Sequence, residues 1–140
     1  MLYKQQSFSN FEPDLRYLDS FPFSREEFLF FDIETTGFSP RNTSLYLIGA
    51  VCFLDEHWTF LQWFAETPSE EYQRDWQKIY EECEILNAFL AFCRSFRAVV
   101  HFNGDGFDIP YLLFKAEKYT LSDTLSSMQS IDLYRLTRPY

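Results

Sequence analysis

Apolar and polar positions alternate most clearly from Phe28 to Thr35, and that alternation predicts a strand. Phe28, Phe30, Asp32 and Glu34 share one face, while Leu29, Phe31, Ile33 and Thr35 share the other. Apolar residues on both faces mark a central strand covered on both sides. Gly37, Ser39, Pro40, Arg41 and Asn42 then read as a turn. A second strand is predicted over Leu45–Phe53. The Asp55-Glu56-His57 segment turns the chain into a third strand, Trp58–Ala65. Thr67-Pro68 followed by Glu70 and Glu71 is a helix-start signal. Beyond it, Tyr72, Trp76, Ile79, Tyr80, Cys83, Leu86, Phe89, Leu90, Cys93 and Phe96 recur at three- and four-residue intervals, as in one amphipathic helix or two in succession. Ala98–Phe102 reads as a short buried strand, Gly104 and Gly106 break it, a helix runs from about Phe107 to Tyr119, and Ile131–Leu133 is a last strand.

The order β-β-β-α-β-α-β is that of an α/β domain: a three-strand antiparallel start, then parallel strands joined through helices. Residues 1–26 mix polar and aromatic positions with Pro13 and Pro22 and read as an irregular N-terminal lead-in, leaving 27–140 as the domain.

Composition changes this picture in three places. At 140 residues with 46% hydrophobic positions, the chain supports one sizeable core rather than disorder. Its net charge of −9 weighs against a sequence-reading DNA binder but not against a nuclease, because metal-holding carboxylates add to the acidic count and bound ions reverse it locally. Arg94, Arg97, Lys115, Lys118, Arg135 and Arg138 gather after the midpoint and read as solvated side chains. Cys52, Cys83 and Cys93 have apolar neighbours and no ligand spacing with His57 or His101, so they read as reduced core thiols. The N-terminus lacks the apolar stretch of a signal peptide, and no run is long enough to span a bilayer. A soluble cytoplasmic protein with no membrane partner is expected.

Candidate chemistry centres on two segments. In Phe31-Asp32-Ile33-Glu34-Thr35-Thr36-Gly37, two carboxylates project from one face of an apolar strand, where like charges repel and burial is unfavourable. A divalent cation with a preference for oxygen ligands relieves both; two hydrated carboxylates at a strand end are the alternative. In His101-Phe102-Asn103-Gly104-Asp105-Gly106-Phe107-Asp108-Ile109-Pro110, a strand enters a glycine-containing loop and a helix begins at Asp108. Asp108 there serves either the helix dipole or a ligand at the carboxyl ends of the strands. If the strand before the loop lies beside the first one, Asp108 approaches Asp32 and Glu34.

These two segments resemble the first two motifs of the DEDD, or DnaQ-like, 3′–5′ exonucleases of the ribonuclease H-like superfamily. Phe31–Gly37 matches the first, and Asn103-Gly104 with Phe107-Asp108-Ile109-Pro110-Tyr111-Leu112 the second. The bacterial YprB-like branch is most similar: there too an Asn-Thr turn leads to Leu-x-Gly, as Asn42-Thr43 leads to Leu47-Ile48-Gly49, and a later Asp-Leu corresponds to Asp132-Leu133. Proofreading domains of family B polymerases are similar at second rank. The resemblance covers roughly residues 28 to 136 and implies a ribonuclease H-like mixed sheet.

It further implies a two-metal phosphodiesterase using Mg²⁺ or Mn²⁺. Asp32 bridges both ions, Glu34 holds the ion that activates water, and Asp108 acts on the second. The resemblance implies that Thr35, Thr36 and Asn103 contact the substrate, a single-stranded or 3′-end nucleic acid, with a loop-orienting or plain turn Asn as the alternative for Asn103. Asp132 supports the ligands or meets substrate, with a strand-edge or turn Asp as the alternative; His101 is a candidate for the base, and Phe107 a core residue. The family's third motif, a carboxylate preceded by His or Tyr on a late helix, has no match before Tyr140. The domain is therefore expected to lack its C-terminal part, and by itself to bind metal weakly and turn over inefficiently; a non-catalytic nucleic-acid or protein binding module is the alternative function.

Overall fold

The computed structural model describes residues 1–66 and 75–137, with the side chains of all of these except 75–78. Nine regular elements follow in order: β1 (Leu2–Phe8), β2 (Phe28–Thr35), β3 (Leu45–Leu54), β4 (His57–Phe64), α1 (Asp75–Cys93), β5 (Ala98–His101), α2 (Asp108–Lys118), β6 (Gln129–Asp132) and α3 (Leu133–Thr137). The strands form one six-stranded sheet in the order β1-β4-β3-β2-β5-β6. β1, β4, β3 and β2 pair antiparallel, while β2, β5 and β6 run parallel. This is the mixed α/β sheet that the order of elements predicts. The helix start expected at Thr67-Pro68 lies outside the described residues.

The period-two pattern of β2 sorts its side chains onto two faces. Leu29, Phe31 and Ile33 join Ile48, Ala50, Cys52, Leu61, Trp63 and Val99 in the main core. α1 covers that face through a stripe of Glu82, Ile85, Leu86, Phe89, Leu90 and Cys93, at helical spacing and all buried. Ile79 and Tyr80, expected in the stripe, are exposed; the buried stripe of α1 begins at Glu82. Phe89 is wedged between the rings of Phe31 (5.2 Å) and Trp63 (5.7 Å). On the opposite face Phe28, Ala98, Val100 and Ile131 form a smaller core with Leu18. Half-buried Leu15, Phe21 and Phe23 from the lead-in close it, so that one end of the Asp32 face is covered and the other left open.

Three local readings are corrected. Leu2–Phe8, placed by sequence in an irregular lead-in, is an edge strand in register with β4, from Leu2 opposite Phe64 to Phe8 opposite Trp58. All seven residues are exposed, so backbone pairing rather than an apolar face makes the strand. The last strand begins at Gln129 and ends at Asp132, because Asp132 Oδ1 accepts the Tyr134 N–H at 3.0 Å and starts α3 at Leu133. Lys115, expected on the surface, is 1% exposed and lies against Glu82. Between β3 and β4 the expected turn is a two-residue hairpin, with Asp55 and Glu56 both at positive φ (49° and 66°), whose twist matches the flanking strands.

Candidate active site

β2 projects past the end of β5: their pairing stops at Phe30 opposite Val100, and β5 ends at His101. The chain then makes a tight turn and starts α2 at Asp108, beside the unpaired edge of β2. Asp108 is 6% exposed and lies against Asp32. Burial and the neighbouring Asp32 carboxylate, through its charge and a hydrogen bond, push the Asp108 carboxyl up to about 7, against the pull of the Ile33 and Asp108 amides. Among the described residues, Asp108 Oδ2 is the buried side-chain oxygen left without a hydrogen-bond partner. An orphaned oxygen next to a second carboxylate fits a cation, which would supply the missing partner and relieve the repulsion.

Asp32 and Glu34 are exposed on one face of β2, as their spacing predicts. Both line a groove of about 570 Å³, floored by Phe30, Val51 and Phe60. Gly49 of β3 stands opposite Asp32 and leaves the groove open there. The β2–β3 register shifts between Glu34 and Thr35, where β3 carries the extra residue: Glu34 stands opposite Leu47 and Thr35 opposite Leu45, leaving Tyr46 unpaired. The structure thus brings Asp108 to Asp32. As a set of three, Asp32, Glu34 and Asp108 stand wider: among the described residues, the metal-ligating side chains whose donor atoms all lie within 4.8 Å of one another are His101, Asp105 and Asp132.

That second group is a donor set by residue type, but hydrogen bonds engage it. Gly104 N–H donates to His101 Nδ1 at 3.0 Å, and His101 Nε2 meets Ser130 Oγ at 2.6 Å. Ser130 donates to Asp105 Oδ1 at 2.9 Å, and Asp105 faces Arg135 at 3.4 Å. Asp132 Oδ1 accepts the amides of Asn103 (2.7 Å) and Tyr134 (3.0 Å). Ser, His and Asp here do not form a nucleophilic triad, because the serine hydroxyl donates to Asp105, whose Oδ1 also stands 3.6 Å from the same imidazole nitrogen, Nε2, that meets the serine. His101 is 3% exposed, with both ring nitrogens engaged.

Thr35 Oγ1 donates to Gly37 O at 2.7 Å, and Thr36 Oγ1 accepts the Ser44 amide at 2.9 Å, so both hydroxyls close the β2–β3 turn. Asn103 is exposed and sits in the left-handed region at φ 58°. The turn grips α2 along one stripe four residues apart. The ring of Phe38 meets Phe107 at 6.2 Å, Thr43 Oγ1 bonds Tyr111 Oη at 2.9 Å, and Lys115 Nζ donates to Thr43 O at 2.7 Å. Phe107 packs at the core edge as expected. Phe38, which the sequence reading passed over, is 91% exposed beside it. A phenylalanine inside the otherwise polar Gly37–Asn42 turn was the available signal.

No helix among the described residues is long and apolar enough to cross a membrane. No curated protein sequence matches the chain. Among solved structures, it is similar to the family B DNA polymerase of the hyperthermophilic archaeon Pyrobaculum calidifontis, with TM-score 0.52 and 20% identity over 76% of this chain and 15% of the polymerase chain. It is also similar to E. coli ExoI in the zinc-bound form of its complex with single-stranded DNA, with TM-score 0.50 and 14% identity over 76% of this chain and 27% of that one. At such identities the likeness is one of fold, and the chain corresponds to a minor part of either protein. A family model, RNase_H_2, matches residues 29–139, from the second residue of β2 onward. With most of its length matched, the chain belongs to this family of the RNase_H superfamily.

Proposed function

We propose that this domain is the core of a divalent-metal-dependent 3′–5′ exonuclease of the DEDD type, acting on single-stranded or 3′-end nucleic acid. What supports it is the Asp108 carboxyl, buried against Asp32 with an oxygen that nothing among the described residues satisfies. An unpartnered oxygen buried beside a second carboxylate is unfavourable, and a cation bound there would offset both burdens. Asp32, Glu34 and Asp108 would hold Mg²⁺ or Mn²⁺, which when bound supplies charge neutralisation at the phosphate and a more acidic water.

The chain's own part is positional. Asp32 offers an exposed carboxylate at the mouth of the groove, and Asp108 closes the site from the α2 side. Glu34 reaches the same groove from two residues further along β2. Phe38 presents a nearly free ring on which a terminal base can stack, with Phe107 behind it. Thr35, Thr36 and Asn103 border the turns on either side and are proposed to meet the strand end. A single-stranded substrate is in keeping with the DNA in the ExoI complex and with the apolar groove floor.

The test is a Mn²⁺ titration of the chain and its Asp32→Asn variant followed by thermal melting, with a 3′-labelled single-stranded oligonucleotide as substrate. The proposal expects metal-dependent stabilisation and shortening from the labelled end, both lost in Asp32→Asn. Stabilisation without cleavage would leave a non-catalytic nucleic-acid binding module, and no stabilisation would remove the metal site.

A further inference from the structure

His101 lines the same groove as Asp32 and Glu34, and its hydrogen bonds lead to Asp108. Because Gly104 N–H donates to Nδ1 at 3.0 Å, that nitrogen carries no proton, and the hydrogen of the neutral ring is on Nε2, donated to Ser130 Oγ at 2.6 Å. The same residue, Gly104, presents its carbonyl to Ile109 N–H at 2.8 Å, in the first turn of α2 and adjacent to Asp108. The imidazole is therefore two hydrogen bonds from the backbone that carries Asp108. Its fit against Gly104 is close: a Cβ added at residue 104 would lie 2.3 Å from Nδ1, so only glycine leaves room for the ring. The far side of the ring meets Phe31, the residue before Asp32, at 5.7 Å.

The groups around the ring keep it in this state. Burial lowers its basicity, Asp105 and Asp132 act in the other direction, and Arg135 of α3 adds to the lowering. Ser130 donates its own hydrogen to Asp105 at 2.9 Å, and Asp132 accepts the Asn103 N–H at 2.7 Å, so β6 holds the turn at Asn103 and at Asp105.

We propose that His101 is a positioning residue for the carboxylate pair: as the neutral Nε2–H tautomer between Gly104 and Ser130, it sets the turn over residues 102–107 that delivers Asp108 to Asp32. This rests on the reading of Asp32 and Asp108 as metal ligands only for its functional consequence; the turn itself can be read without metal.

The experiment compares the full chain with His101→Asn, His101→Gln, His101→Ala and Gly104→Ala. The Asn side chain puts an acceptor where Nδ1 stands; the Gln side chain reaches only the Nε2 position. Exchange protection of the Gly104 and Ile109 amides is measured by NMR without metal, the tautomer is read from the His101 ring ¹⁵N shifts, and Mn²⁺ affinity is measured by calorimetry. The expected result is wild-type amide protection and Mn²⁺ affinity in His101→Asn. His101→Gln and Gly104→Ala lose protection and bind Mn²⁺ about 10–100-fold more weakly, the usual range for outer-shell partners of metal ligands. Equal protection and affinity in His101→Asn and His101→Gln, which differ only in which end of the imidazole they replace, would overturn the proposal whether or not His101→Ala folds. If the wild-type chain does not bind Mn²⁺, the metal reading fails on its own; loss of Gly104 and Ile109 protection in His101→Gln but not in His101→Asn then still supports the positioning role, and its absence overturns it.

Discussion

Lys115 of α2 and Glu82 of α1 form an ion pair at 3.1 Å with both side chains almost wholly removed from solvent. Glu82 also accepts the Leu45 amide at 2.6 Å and the Tyr119 hydroxyl, so the pair binds α1, α2 and the first residue of β3 together. Removing one member of a buried pair strands the other charge. Glu82→Ala is expected to destabilise the chain by about 3–5 kcal/mol in urea denaturation. Lys115→Met should be milder, because Glu82 keeps two donors. A smaller loss in Glu82→Ala than in Lys115→Met would show that the carboxylate is not the hub of this network.

The Asp108 site predicts opposite effects of one substitution with and without metal. In chelator above neutral pH, Asp108→Asn should melt at or above the wild-type temperature, since a neutral amide ends the repulsion with Asp32. In Mn²⁺ the order should reverse. A hundredfold excess over Kd stabilises the wild-type chain by about 2.7 kcal/mol, roughly 9 °C in Tm for a chain of this length. Differential scanning calorimetry with and without chelator checks both signs.

The pH dependence of the metal-free chain follows from the same carboxyl. Its pKa rises from 3.8 in the unfolded chain to about 7 in the folded one. Between those values the folded state holds a proton that the unfolded state has released, so this group's contribution to stability falls as pH rises through the window. Below pH 3.8 both states are protonated and the dependence vanishes. Subtracting the Asp108→Asn stability curve, measured in chelator from pH 4 to 8, isolates the term; a difference that rises with pH would contradict the burial of this group.

Phe38 separates binding from folding. At 91% exposure it contributes little to the core, so Phe38→Ala should leave Tm unchanged. If a base stacks on the ring, affinity for a single-stranded oligonucleotide should fall by about 1–3 kcal/mol. Fluorescence anisotropy in the Asp32→Asn background, where cleavage is absent, measures this. Unchanged affinity would move the strand path away from the Phe38–Phe107 pair.

The thiols should differ in reactivity. Burial pushes Cys52 up to about 11 and Cys93 up to about 12, and both are fully enclosed. Cys83 is half-buried and raised less, again by burial first. Iodoacetamide at pH 8 should therefore label Cys83 first in the native chain and the other two only on unfolding. Peptide mass spectrometry against time reads the order.

What the sequence by itself determined is what burial writes onto side-chain order. The alternation in Phe28–Thr35 sets Asp32 and Glu34 on one face of a central strand, and the glycines after His101 end β5 and start α2 at Asp108. Three- and four-residue spacing marks α1, and the succession of strands and helices yields the mixed sheet. Tertiary structure alone decided the features that leave no periodic mark. β1 is exposed along its whole length and exists through backbone pairing with β4. Lys115 is buried because Glu82, 33 residues earlier, waits for it. Residues 101, 104, 105 and 130 are ordinary loop and strand positions until the parallel pairing of β5 and β6 sets His101 beside Asp132 and near Ser130. The contact of Asp108 with Asp32, closer than the three acidic residues stand as a set, was decided the same way. Local patterning records which side of an element faces the core; which distant charge or amide it meets there depends on sheet order and register, and those are set only when the whole chain packs.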